Sequence, residues 1–206
     1  MPTSRLEAFS DGVMAVIITI MVLELHVPDG DTFAALVSTL GTGLATYLLS
    51  FVYIGIYWNN HHHLFQLASR VTGAVLWANL HLLLWLSLLP LTTAWMDTTV
   101  FARVPVIVYG VDLACAAIAY WILQLTIIRG EGATSALRQA LGRDFEGKAS
   151  PFIYAAAILI ALLVVPSWRD AIWVSMACYV WVAAMWLVPD RRIERYLATQ
   201  RGAATE

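Results

Sequence analysis

The chain has 206 residues, of which 60% are hydrophobic and 13% charged, with a formal net charge of −2 and a mean hydropathy of +0.73. This excludes an ordinary soluble domain, and it leaves no room for a sizeable extramembrane one, because a bilayer core of roughly 30 Å takes about 20 apolar residues per helix. The small net charge averages two faces of opposite sign, and no nucleic-acid patch is evident.

The apolar runs predict an all-α, polytopic membrane protein. Six spans are expected at about 4–26, 34–60, 71–95, 104–128, 150–167 and 170–188, in a single domain over 1–206. The first span could be confused with a signal peptide, but Arg5 is offset by Glu7 and Asp11, and the stretch ends in Glu24-Leu25-His26-Val27-Pro28 without a small-residue cleavage site. It is expected to be retained. Breaks follow at Pro28 to Asp31, at the polar run Asn60 to Arg70, at Asp97 to Thr99, at Arg129 to Ser150, and at Pro166 to Asp170. Within the fourth break, Ala136, Leu137, Ala140 and Leu141 recur at helical spacing, which predicts a short helix at the inner interface.

Basic residues orient the spans, since cytoplasmic flanks carry the Lys/Arg excess. Arg5, Arg70, Arg129, Arg138, Arg143, Lys148, Arg191, Arg192, Arg195 and Arg201 fall on one side of a six-span chain, against Arg103 and Arg169 on the other. Both termini are therefore expected in the cytoplasm, and the chain in the cell membrane, in contact with lipid. The outer loops hold Asp29, Asp31, Asp97 and Asp170, a rim that attracts cations.

The first span raises a question of its own. Ionisable residues in a membrane helix point by default to a bundle interior or a water-filled path. Arg5 and Asp11 lie about 240° apart around a straight helix, so they cannot pair within it, and the alternative is that both are solvated at headgroup level. Beyond them Gly12, Val16, Thr19, Ile20 and Leu23 share one stripe, apolar except for Thr19. Composition alone reads this as ordinary packing surface, with Thr19 bonded to the carbonyl one turn back.

The motif Arg5-x-x-x-Phe9-Ser10-Asp11 opening the first of six spans resembles the signature of the transmembrane protein 175 potassium-channel family, in a prokaryotic single-repeat form. In the second span, Trp58, His61, His62 and Phe65 resemble that family's W-x-x-H-H-x-x-F. In the third, Trp77, Asn79 and Pro90 match its usual run. The resemblance is specific for the first three spans and generic after them. It implies a homotetramer with the first helix of each subunit around one axis, Val16, Ile20 and Leu23 at and outward of a hydrophobic constriction, and Thr19 contributing hydroxyls that favour potassium. Val16 departs from the Ile or Leu usual there, which implies a wider ring. It also implies that Arg5, Ser10 and Asp11 meet His61 or His62, Trp58 and Asn79. Because Arg5 and Phe9 project on the side of the stripe, Arg5 must be neutralised or turned aside. No TVGYG-type carbonyl filter run occurs, so weak to moderate selectivity through ion dehydration is expected, with potassium ions as the permeant species and no cofactor.

Consecutive histidines His61 to His63 diverge by 100° each and cannot share one metal, so no metal site is expected; titration near neutrality suits them better to sensing pH. Asp112, in the middle of the fourth span, reads either as a proton-relay residue or as a structural hydrogen-bond partner. Trp95, Trp168, Trp173 and Trp186 lie near span ends as an aromatic belt, whereas Trp77, Trp121 and Trp181 lie deeper, where packing is expected. Cys115 and Cys178 sit inside spans, with no disulfide or metal-ligand spacing. No nucleophile, base and orienting group occur together, so no enzyme is expected. The alternative to a channel is a proton-coupled secondary transporter using Asp11, Asp112 and the histidine cluster, but the matching Gly/Pro-interrupted helices it needs are not found.

Overall fold

A computed structural model describes residues 2–132, 135–141, 145–163 and 170–187. All of its elements are helical: α1 (Thr3–Leu23), α2 (Phe33–Leu67), α3 (Gly73–Thr98), α4 (Arg103–Glu131), α5 (Ala136–Leu141), α6 (Phe145–Leu163) and α7 (Asp170–Leu187). By length and composition α1 to α4 can each cross a membrane. The apolar stretches Ala149–Leu163 in α6 and Ile172–Leu187 in α7 are shorter. The expected ends of the last two spans beyond 163 and 187 lie outside the described residues, as do Arg143, Trp168, Arg169, Arg191, Arg192, Arg195 and Arg201.

Local chemistry sets the helix ends. Thr32 and Thr72 cap α2 and α3, their hydroxyls accepting from Ala35 N at 3.1 Å and Val75 N at 3.3 Å. Each satisfies one of the donors a helix start leaves without a partner. The turn from α3 to α4 is tight: Val100 N donates to Asp97 O and Phe101 N to Met96 O, both at 2.9 Å. This pair of bonds is the Schellman pattern, which wants glycine at its left-handed position. Val100 stands there at φ 49°, an unfavourable conformation for a β-branched residue, and Phe101 follows at φ 56° against the Trp173 ring. Helix α4 ends on Gly132 at φ 75°, where glycine carries no such penalty. Pro90 lies inside α3 without ending it.

Two groups of helices share the long α2. On one side α1 packs against α2 and α3; on the other α4, α6 and α7 pack on one another, with α3 against α4 and α7 against α2. The core between them is apolar and continuous, from Met14 and Ile17 through Leu82, Leu86 and Leu89 to Leu113 and Leu123. Buried hydroxyls stitch the second group. Tyr154 donates to the Tyr53 hydroxyl at 3.2 Å, Tyr53 to Tyr179 O at 2.6 Å, and Tyr179 to Val106 O at 3.2 Å. Gly110 makes room for that last bond, since a Cβ at position 110 would collide with the Tyr179 hydroxyl. Arg103 donates to Ala161 O at 2.6 Å and to Leu162 O, covering carbonyls at the end of α6 that the helix cannot satisfy itself.

Several expectations need correction. The polar run from Asn60 does not end α2: the helix continues to Leu67, because His61, Leu64, Phe65 and Leu67 are buried and helical continuity places them on the core. Helix α6 begins at Phe145, before the expected 150, and α4 runs past 128 to Glu131. The short helix α5 exists, with Leu137 and Ala140 buried against neighbouring protein. Trp77, Trp121 and Trp181 are exposed on the outside of this single copy, Trp121 also lining a cavity between α2, α4, α6 and α7. Trp186 does pack, edge-on to Tyr120, and its Nε1 donates to Ser150 Oγ at 2.8 Å.

Candidate pore helix and its anchoring network

Helix α1 has two unlike faces. Leu6, Ser10, Met14, Ile17 and Met21 recur at intervals of three or four residues and are buried against α2 and α3. The opposite face carries the stripe singled out in the sequence: Val16, Ile20 and Leu23 are 56%, 42% and 80% exposed, and Gly12 and Thr19 are exposed with them. Between this stripe and α3 runs an open groove of about 690 Å³, to which α3 contributes Ser87, Pro90, Leu91 and Ala94. Thr19 Oγ1 donates to Val16 O at 2.8 Å. That bond uses its one proton, and the oxygen lone pairs remain available to accept.

The buried face is held by a chain of hydrogen bonds whose polarity can be worked out atom by atom. Ser10 Oγ donates to Leu6 O at 2.9 Å, so toward any other group it can only accept. Asn79 Nδ2 supplies that bond at 2.9 Å, leaving Asn79 Oδ1 as an acceptor facing His61 Nε2 at 2.8 Å. His61 must therefore carry its proton on Nε2. All three side chains are buried, and the chain ties α1, α3 and α2 together.

A second chain lies beside it. Gln66 Nε2 can only donate, and it meets His62 Nε2 at 2.7 Å, so that nitrogen accepts and His62 Nδ1 carries the proton toward Glu7 Oε1 at 2.5 Å. Both ring nitrogens of His62 are thereby engaged, one toward Glu7 and one toward Gln66. Glu7 and Gln66 were not among the expected site residues. The i, i+4 spacing of His62 and Gln66 was a readable signal. The pairing with Glu7, 55 positions away, was not.

The structure thus brings together Ser10, His61 and Asn79, and separately His62 with Glu7. Asp11 Oδ1, His61 Nδ1 and His63 Nδ1 are buried atoms without a hydrogen-bond partner among the described residues. Arg5 and Phe9 are exposed on the stripe side of α1, and Arg5 has no ion pair among the described residues. Trp58 and Trp77 face outward, away from both chains. Asp112 is buried in α4 and accepts from Thr92 Oγ1 at 3.1 Å, a partner on the neighbouring helix α3. Tyr109, on its own helix, is paired with Ser50 at 3.1 Å. Among the described residues no group of histidine, cysteine or carboxylate side chains is arranged to hold a metal.

Fold and site together define an all-helical membrane protein whose first helix is anchored along one face and leaves an apolar face uncovered. Residues 5–90 match the family described as the endosomal/lysosomal potassium channel TMEM175. Over 197 residues, 96% of this chain and 98% of the relative, the chain is 50% identical to a potassium channel of Chryseobacterium sp. (strain P1-3). It belongs to the TMEM175 family. It is also 37% identical over 113 residues to the human endosomal/lysosomal proton channel TMEM175, covering 49% of this chain and 22% of that one. Among solved structures, a lysosomal potassium-selective channel TMEM175 homologue from Chamaesiphon minutus superposes with a TM-score of 0.73 at 28% identity, over 91% of this chain and 97% of that one.

Proposed function

We propose that this protein is a passive, potassium-permeable cation channel of the cell membrane. Four copies assemble around one axis, each crossing the bilayer six times with both termini in the cytoplasm, and α1 of each subunit lines the pore. The observation that carries this reading is the uncovered face of α1. Val16, Thr19, Ile20 and Leu23 stand exposed while the opposite face is fixed to α2 and α3 by buried hydrogen bonds. A single helix cannot enclose a conduit, so the stripe needs copies of itself.

In such an assembly the aliphatic rings form a neck that blocks by dewetting and conducts when it widens enough for water. Selectivity then comes from the cost of stripping water from the ion, lower for potassium than for sodium, with the Thr19 oxygens offering partial replacement of the hydration shell. Ser10, Asn79 and His61, beside Glu7 and His62, are the support that holds α1 at its angle, with Phe9, Asp11, Trp58 and Trp77 completing the motif. Arg5 lies on the pore side and has to be neutralised or turned aside, because four bare guanidinium groups at one mouth would repel cations. The channel names of the relatives favour this reading over a proton-coupled transporter.

Potassium-loaded proteoliposomes test it. Efflux should follow the potassium gradient without saturating and without an imposed proton gradient. Flux that saturates and requires protons would overturn the proposal.

A further inference from the structure

Away from the pore helix, α2, α4, α6 and α7 line a small, partly open cavity of about 30 Å³ walled largely by aromatic rings, among them Tyr57, Tyr154 and Trp186. Two polar side chains line it from facing helices. Gln124 of α4 is 5% exposed and Tyr57 of α2 is 8% exposed. Among the described residues neither side chain makes a hydrogen bond, and neither is sealed from the cavity by neighbouring atoms. Asn60, one turn along α2 from Tyr57, also lines the space: its Nδ2 donates to Ile56 O at 2.8 Å, which leaves its amide oxygen as an acceptor.

A buried amide and phenol with no partner are costly, and native interiors resolve such groups with protein or with ordered water. The rest of the bundle follows the rule closely. Tyr53, Tyr109, Tyr154 and Tyr179, the other buried tyrosines, all hydrogen-bond to protein atoms. Gln124 and Tyr57 therefore stand out as groups whose partner is not protein.

We propose that this cavity is a binding site for ordered water. Its volume accommodates about two molecules at roughly 10–15 Å³ each. The polar groups present can orient them: Gln124 Nε2 and the Tyr57 hydroxyl donate, and Gln124 Oε1 and Asn60 Oδ1 accept. That gives each water the two or more protein partners a buried site needs. The waters would join α2 to α4 at a place where the α6–α7 hairpin closes over both. An acyl chain is a poorer occupant, because it would bury the Gln124 amide with nothing to bond.

Radiolytic footprinting in 18O-labelled water tests the assignment, because hydroxyl radicals born from a bound water label the side chain beside it even when bulk solvent cannot reach. In the wild-type protein Tyr57, 8% exposed, should take up label several-fold faster than Tyr109, an equally aromatic side chain that is fully buried and bonded to Ser50. In Gln124→Leu the rate at Tyr57 should fall to that of Tyr109. A wild-type Tyr57 no more reactive than Tyr109 overturns the proposal, as does a Tyr57 rate unchanged in Gln124→Leu. Where the variant does not fold, the wild-type comparison still overturns the proposal if Tyr57 is no faster than Tyr109.

Discussion

Asn79→Leu is expected to destabilise the protein by about 3 kcal/mol and to release α1 from its anchor. The leucine fills the space but leaves the buried His61 Nε2–H without an acceptor and Ser10 Oγ without a donor. A buried donor stripped of its partner costs about 1–3 kcal/mol, and a second lost bond adds about 1 kcal/mol. For a chain of this size that corresponds to a fall in Tm of roughly 6–12 °C. The penalty belongs to the orphaned groups and not to the lost amide itself. Combining Asn79→Leu with His61→Phe should therefore recover a good part of it, since replacing both partners by apolar groups is far cheaper than removing one. Thermal unfolding of the detergent-purified single and double variants measures both quantities. A Tm unchanged in Asn79→Leu, or a double variant less stable than both single ones, would show that this chain does not hold α1.

Ile20→Ser should raise conductance about tenfold. Each isoleucine contributes about 1.5–3 kcal/mol of apolar transfer free energy, which serine does not keep, and in a tetramer the change is made four times in one ring. Only about 1.4 kcal/mol needs to come off the barrier for a tenfold change in rate. Serine also supplies hydroxyls to the permeating water column, so the neck should stay wet for longer. The side chain is 42% exposed at the open groove beside α3 and lies outside the buried row Leu6, Ser10, Met14, Ile17 and Met21, so the substitution leaves the packed face untouched and stability should barely move. Currents equal to wild type in both Ile20→Ser and Leu23→Ser would remove α1 from the pore wall.

The parts of this architecture that periodicity governs could be read in the sequence, and the parts governed by a distant partner could not. Runs of apolar residues placed α1 to α4 because a bilayer demands such runs, whatever the tertiary arrangement. The hydrogen-bonded chain Ser10, Asn79 and His61 spans three helices, and no spacing in the sequence dictates it. Helix α2 ends well beyond the polar signal in its sequence. Asn60 and the three histidines look like a loop by composition, yet His61 is the one that faces the core, and its burial carries the helix on to Leu67. Trp77, Trp121 and Trp181 lie deep along their spans yet are exposed in one copy, because depth along a membrane helix says nothing about which way a residue faces. The partner of Asp112, Thr92, stands on the neighbouring helix α3, and no pattern within the α4 sequence points to it.

The central claim, that copies of α1 enclose a potassium-permeable conduit, is tested most directly in a planar bilayer holding the purified protein, with potassium on one side and sodium on the other. Discrete ohmic steps whose reversal potential is displaced toward the potassium equilibrium potential are the predicted result. A current without unitary steps, or a reversal potential that follows the proton gradient and ignores potassium, would contradict it.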